Sequence, residues 1–154
     1  MLECTVFRSG HNHGINLGNR SDTGRVRGNR VRSCVLSRNS QHGIDISGTS
    51  SIGNLIEANV VHNTTNSAGI ADSISVFKGD HNRIVDNHVT GGDRGIILAA
   101  GDECVVTGNS LFDNADTGFT YSIGTVFVVG PISTRVGLLT NSGADAHPWA
   151  NFTR

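Results

Sequence analysis

Five times along this chain a glycine runs directly into an apolar residue in the same surroundings: Gly14 and Ile15, Gly43 and Ile44, Gly69 and Ile70, Gly95 and Ile96, Gly118 and Phe119. The spacings between these glycines are 29, 26, 26 and 23 residues, which is one period with loops of variable length. Longer phrases share the grammar: GNRVRSCVLSRNSQHGIDI, GNLIEANVVHNTTNSAGI, HNRIVDNHVTGGDRGIIL and ECVVTGNSLFDNADTGF. A repeat of this length means one supersecondary unit that cannot bury its own apolar face and must stack on copies of itself.

Within the period, apolar residues alternate with polar ones, as in a strand with one face inward. Leu17, Ile46, Leu98 and Tyr121 follow the glycine column at strand spacing. A second column, Cys4, Cys34, Asn59, Asn87 and Asn109, is followed two positions later by Val6, Leu36, Val61, Val89 and Leu111. A third, Asn29, Asn54, Asn82 and Cys104, is followed by Val31, Ile56, Ile84 and Val106. Three short strands per turn without helical periodicity make an all-β parallel solenoid of about five coils, each adding roughly 4.8 Å of height.

Asparagine suits the corners of such a coil. It tolerates left-handed backbone, and its amide can donate to the next coil while accepting from the previous one. Cysteine replaces it as a small buried side chain. The stacking makes Cys4 and Cys34 vertical neighbours, either as buried thiols or at a separation that admits a disulfide.

Composition excludes several alternatives. The chain has 154 residues, room for one domain. Charged residues make up 16% and the glycine count is 20 against 2 prolines, unlike a disordered or collagen-like chain. Twelve basic and thirteen acidic side chains give a net charge of -1, which lacks the excess needed to follow phosphate backbones, so no nucleic-acid partner is expected. No apolar run reaches the length of a membrane span, so no membrane partner is expected either. Three cysteines without CxxC spacing indicate no zinc knuckle.

The phrase N-x-I-x-x-N-x-V followed by G-I-x-L, running from about Cys4 to Tyr121, resembles the repeat of right-handed parallel β-helix proteins of the pectate-lyase-like superfamily. Coils are expected over 1–124 and a capping or oligomerisation segment over 125–154, where the repeat dissolves, Val126 to Val129 and Arg135 to Leu139 read as two strands that end the stack, and Trp149 can cover the last coil or a partner. The resemblance implies polysaccharide as the partner, and lyase, hydrolase or epimerase chemistry if the chain is catalytic. By the same analogy the protein belongs outside the cell or on a virion or cell surface. Relatives of this kind cover the first coil with an amphipathic helix, and none is visible here. This chain therefore reads as a fragment, or as a domain whose open end another subunit covers, and homo-oligomers through the open ends are expected. The DPHD, GHG and RIK phrases of the better-known catalytic relatives are missing, so a non-catalytic structural or assembly module stays open beside the carbohydrate reading.

Outward positions beside the glycine column place His13, His42, Ala68, Arg94 and Thr117 on one vertical line. Asn16, Asp45, Ala71, Ile97 and Thr120 fall on another. In a catalytic reading His42 is the base, Asp45 orients it, Arg94 clamps a uronate carboxylate, and His13 and Asn16 contact substrate. A solvated turn whose histidines stack because the coils do explains the same residues without chemistry. His11 and His13 alone are too few for a metal, so no metal or cofactor is expected unless Asp45 or His42 completes the set. The loop acids Asp80, Asp86, Asp93, Asp102 and Glu103 are scattered over different turns and do not form a calcium site. On another face Arg32 lies below Glu57, an exposed cross-strand ion pair.

Overall fold

The computed structural model describes residues 4–7, 13–18, 25–66, 71–100, 102–121, 127–129, 132–133 and 151–153. It is a parallel β-solenoid with no helix among these residues. One sheet stacks β1 (Thr5–Phe7), β5 (Val35–Ser37), β9 (Val60–His62), β12 (His88–Thr90) and β15 (Ser110–Phe112), followed by β19 (Asn151–Thr153) and β18 (Ile132–Ser133). A second stacks β2 (Ile15–Gly18), β6 (His42–Ser47), β10 (Asp72–Val76), β13 (Arg94–Leu98) and β16 (Thr117–Tyr121). A third stacks β4 (Arg30–Arg32), β8 (Leu55–Glu57), β11 (Arg83–Val85), β14 (Cys104–Thr107) and β17 (Phe127–Val129). A two-stranded ladder, β3 (Val26–Arg27) with β7 (Ser51–Ile52), completes the described strands. Three full turns have all their strand side chains described, at 30–47, 55–76 and 83–98, against about five coils expected. Further strands stack above and below them.

The expected columns form the core. Val31, Ile56, Ile84 and Val106 lie over one another, as do Leu36, Val61, Val89 and Leu111, each at most 2% exposed. Burial of each such side chain contributes about 1.5–3 kcal/mol, and only stacking provides it. The third column differs from expectation in one coil: Ile74 sits between Ile44 and Ile96, so β10 occupies the place assigned to Gly69, Ile70 and Ala71. Gly69 and Ile70 lie outside the described residues. Ser73 takes the glycine position. At Gly43 a Cβ would fall 2.4 Å from the Ser73 carbonyl oxygen and 2.5 Å from Val61 Cγ1, so the bend there needs glycine.

The corners also differ in detail. The left-handed residue is the one before each asparagine, or before the cysteine that replaces it: Ser33, Ala58 and Asp86 have φ of 55, 50 and 55°, and Gly53 and His81 have 66 and 57°. The asparagines instead point into the corner and tie coil to coil. The Asn59 backbone N–H and Nδ2 both donate to Asn87 Oδ1, at 3.0 and 2.9 Å, and the Asn59 amide also donates to the Val31 carbonyl at 3.1 Å. Asn87 repeats this with Asn109, and Asn54 with Asn82. The ladder ends at Cys34, whose N–H donates to Asn59 Oδ1 at 3.0 Å. The Cys4 thiol donates to Cys34 Sγ at 2.9 Å, and all three cysteines are free thiols, so the disulfide that the stacking admits is not formed. Burial raises the Cys104 pKa above its ordinary 9.0.

Arg32 stacks on Glu57 as expected, 3.4 Å from it, and Arg30 contacts the same carboxylate. In the tail, β17 falls within Val126 to Val129, while Arg135 to Leu139 and Trp149 lie outside the described residues.

Candidate functional site

Alternation along the second sheet turns Ile44 and Ile46, Ile74 and Val76, and Ile96 and Leu98 inward, which leaves Asp45, Ser75 and Ile97 facing out. Residues 42, 72 and 94 are in register with one another and line the same cleft. Three successive coils thus present an imidazole, a carboxylate and a guanidinium in one line.

These side chains are bonded to each other. Arg94 Nη2 lies 2.6 Å from Asp72 Oδ1, and His42 Nδ1 lies 3.3 Å from Asp72 Oδ2. The Asp72 backbone N–H donates to His42 Nδ1 at 3.1 Å. Burial pushes the Asp72 carboxyl from 3.8 up to about 6 against the pull of Arg94 and Ser75, and the charge of nearby Asp45 adds to the rise. Asp93 steadies one side of this arrangement, since its Oδ2 accepts from the Asn66 and Ala71 amides at 2.7 and 3.2 Å.

His42, Asp72 and Arg94 line an open cleft of about 340 Å³, together with Gln41, Asn66 and Phe77. Phe77 is 38% exposed, an apolar residue beside polar donors and acceptors. That combination orients a ligand by hydrogen bonds while one face of it packs on an aromatic. A carboxyl group whose pKa is raised toward neutrality can both give and take a proton there.

On the far side of His42, the ring of His13 stacks on it with centroids 4.9 Å apart and planes 12° apart. His13 Nε2 lies 3.8 Å from Asp45 Oδ2. His13, His42 and Asp45 each bring one potential ligand atom within 4.8 Å of the others. Asn16 pairs with Asp45 in register and is exposed.

The structure therefore brings His13, Asn16, His42 and Asp45 into one patch, and puts His42 and Arg94 in one cleft. Asp72 was missed. The sequence alignment put Ala68 and Ala71 where Asp72 and Ser75 stand. His42 Nδ1 consequently meets Asp72, and Arg94 is paired with that carboxylate. The signal lay in D-x-I-x-V at Asp72 to Val76, which repeats the alternation of H-x-I-x-I and R-x-I-x-L without the glycine. Phe77, just past the strand, carries no repeat signal of its own.

Comparison with curated proteins found no match, and comparison with solved structures found none. A family profile described as "Right handed beta helix region" matches residues 2–143. With that match and the stacked parallel sheets, the chain belongs to the right-handed β-helix family.

Proposed function

We propose that this β-helix is a carbohydrate-associated module that binds a polysaccharide across the cleft of the second sheet and processes it by proton transfer. The observation that carries this reading is the in-register line of His42, Asp72 and Arg94 at one cleft with an exposed aromatic ring. In it, Asp72 exchanges the proton, Arg94 holds one of its oxygens, His42 anchors its backbone N–H, and Phe77 stacks on a sugar ring. Arg94 shares its charge with Asp72 rather than offering it whole to a uronate. The reading therefore covers neutral as well as acidic polymers.

Incubation with panels of neutral and uronate polysaccharides, read as new reducing ends or unsaturated ends, tests it. Asp72→Asn is expected to lower turnover on the order of 100-fold or more, and His42→Ala to lower it as well. Phe77→Ala is expected to weaken binding about 10-fold with the chemistry retained. A chain that neither binds nor turns over any polymer would leave the non-catalytic assembly module as the standing reading.

A further inference from the structure

Beside the cleft lies a group that the proposed chemistry does not use. Asp45 has a side chain with 0% exposure, and among the described residues neither of its oxygens accepts a hydrogen bond. A carboxylate taken out of water without hydrogen bonds is costly unless a cation faces it. Asp72 is a second buried carboxylate, close enough to feel the charge of Asp45, and Arg94 is directed at Asp72. Asp72 in the cleft and Asp45 beside it are thus two buried carboxylates, and Arg94 is paired with Asp72.

What faces Asp45 is a pair of imidazoles. His13 and His42 come from adjacent coils, their side chains are 13% and 9% exposed, and their stacked rings meet the carboxylate from one side. From these residues the geometry points to a site for a late first-row divalent metal ion of the zinc class, held by His13, His42 and Asp45.

The chemistry of the donors sets the class. Two imidazole nitrogens and one carboxylate oxygen suit Zn²⁺ and its neighbours, with the remaining position left to water. Calcium needs six to eight oxygens, which this set does not offer. A tetrahedral zinc with bonds of about 2.0–2.1 Å holds its ligand atoms roughly 3.4 Å apart. The separations here, 3.8 Å from His13 to Asp45 and at most 4.8 Å overall, exceed that value, so binding turns the two imidazoles out of their stack until their ring nitrogens converge on the ion. His42 Nδ1 accepts from the Asp72 backbone N–H at 3.1 Å and lies 3.3 Å from Asp72 Oδ2; with the metal on the other ring nitrogen, Nδ1 carries the proton and donates it in a hydrogen bond to that carboxylate, the arrangement that fixes a metal-bound histidine. The fold supplies the rest: Gly14 N–H donates to the His42 carbonyl at 2.9 Å, which locks the two coils that carry the rings. This inference stands apart from the carbohydrate reading, because it requires no sugar to bind.

The test is zinc itself. The full chain, stripped with a chelator, is titrated with ZnCl₂ by calorimetry while the side-chain imidazole signals are followed by NMR. One equivalent is expected to bind, with shifts confined to His13 and His42 among the seven histidines. Substituting Co²⁺ is expected to give visible d–d absorption of a four-coordinate ion. Asp45→Asn and His13→Ala are each expected to weaken binding on the order of 100-fold, and His88→Ala, on a different sheet, is expected to change nothing. Absence of binding at millimolar zinc overturns the proposal. So do shifts spread over the surface histidines, or affinity that survives Asp45→Asn in a folded variant. Since the NMR and Co²⁺ readouts use the unaltered chain, they decide the matter even where a variant fails to fold.

Discussion

The asparagine corners and the cleft are made the same way, by side chains stacked coil upon coil, yet they do opposite things. At the corner Asn59, Asn87 and Asn109 are alike, and each satisfies its neighbour. A self-complementary amide repeats without accumulating charge, so the column can run the height of the molecule. On the cleft line three successive coils carry unlike side chains, His42, Asp72 and Arg94, and neither of the two charged ones can satisfy a copy of itself. Like stacking solves a backbone problem that recurs in each turn. Unlike stacking concentrates charge in one place, which is where a solenoid departs from its repeat to hold a site.

The comparison can be broken most severely at the corner. Asn87 accepts two donors from Asn59 and donates to Asn109 Oδ1 and to the Ile56 carbonyl while 1% exposed. Asn87→Ala strands all of these groups, and a loss of about 3 kcal/mol is expected. Thermal unfolding should register it as a fall of roughly 10 °C, and a drop of only a degree would mean that the ladder contributes little.

Next comes the unlike column. Because burial raises the folded-state pKa of Asp72 from 3.8 to about 6, the folded protein holds this proton more tightly than the unfolded chain does. Stability from this group is therefore present below pH 3.8 and is lost as pH rises toward about 6. Arg94→Gln removes the cation that opposes the rise, so the falling stretch should extend to higher pH. A loss of about 2 kcal/mol is expected at neutral pH, with little or none in acid. Urea unfolding of chelator-treated protein across pH checks this, and a deficit equal at all pH values would show that Arg94 acts by packing alone.

Two smaller changes sharpen the contrast. Ala58 is exposed and holds φ of 50° where other turns use Gly53 or Gly108, so Ala58→Gly should stabilise by about 1 kcal/mol, measured as a shift in urea midpoint. Glu57→Ala removes the contacts with Arg30 and Arg32, whose side chains are 38% and 43% exposed, and should cost less than about 0.5 kcal/mol by the same assay. A larger loss there would show that unlike charges stabilise coil stacking even at the surface.

The two asparagine-led columns were legible because each coil repeats the same residue, or cysteine, two positions before an aliphatic. The glycine-led column was legible in all coils but one. There the nearly even spacing of Gly43, Gly69 and Gly95 suggested a register that the chain does not adopt. The step from His42 to Asp72 is 30 residues and the step from Ala71 to Asp93 is 22. Glycine marks a bend only where a Cβ would strike a neighbour, and the chain accommodates Ser73 at that position. Matching alternate aliphatics in place of glycines would have found β10, and with it Asp72. The grouping of His13 with His42 and Asp45 was legible from the positions flanking Gly14 and Gly43, because that coil pair keeps the expected register.

What the amino-acid order determined by itself was the solenoid, since inward aliphatics at a repeated interval have nowhere to be buried except over their own copies. Only the folded stack decided which polar side chains meet. Loops of unequal length carry no register of their own. The side chain at a given height of the outer face is set by how Ile44, Ile74 and Ile96 pack beneath it.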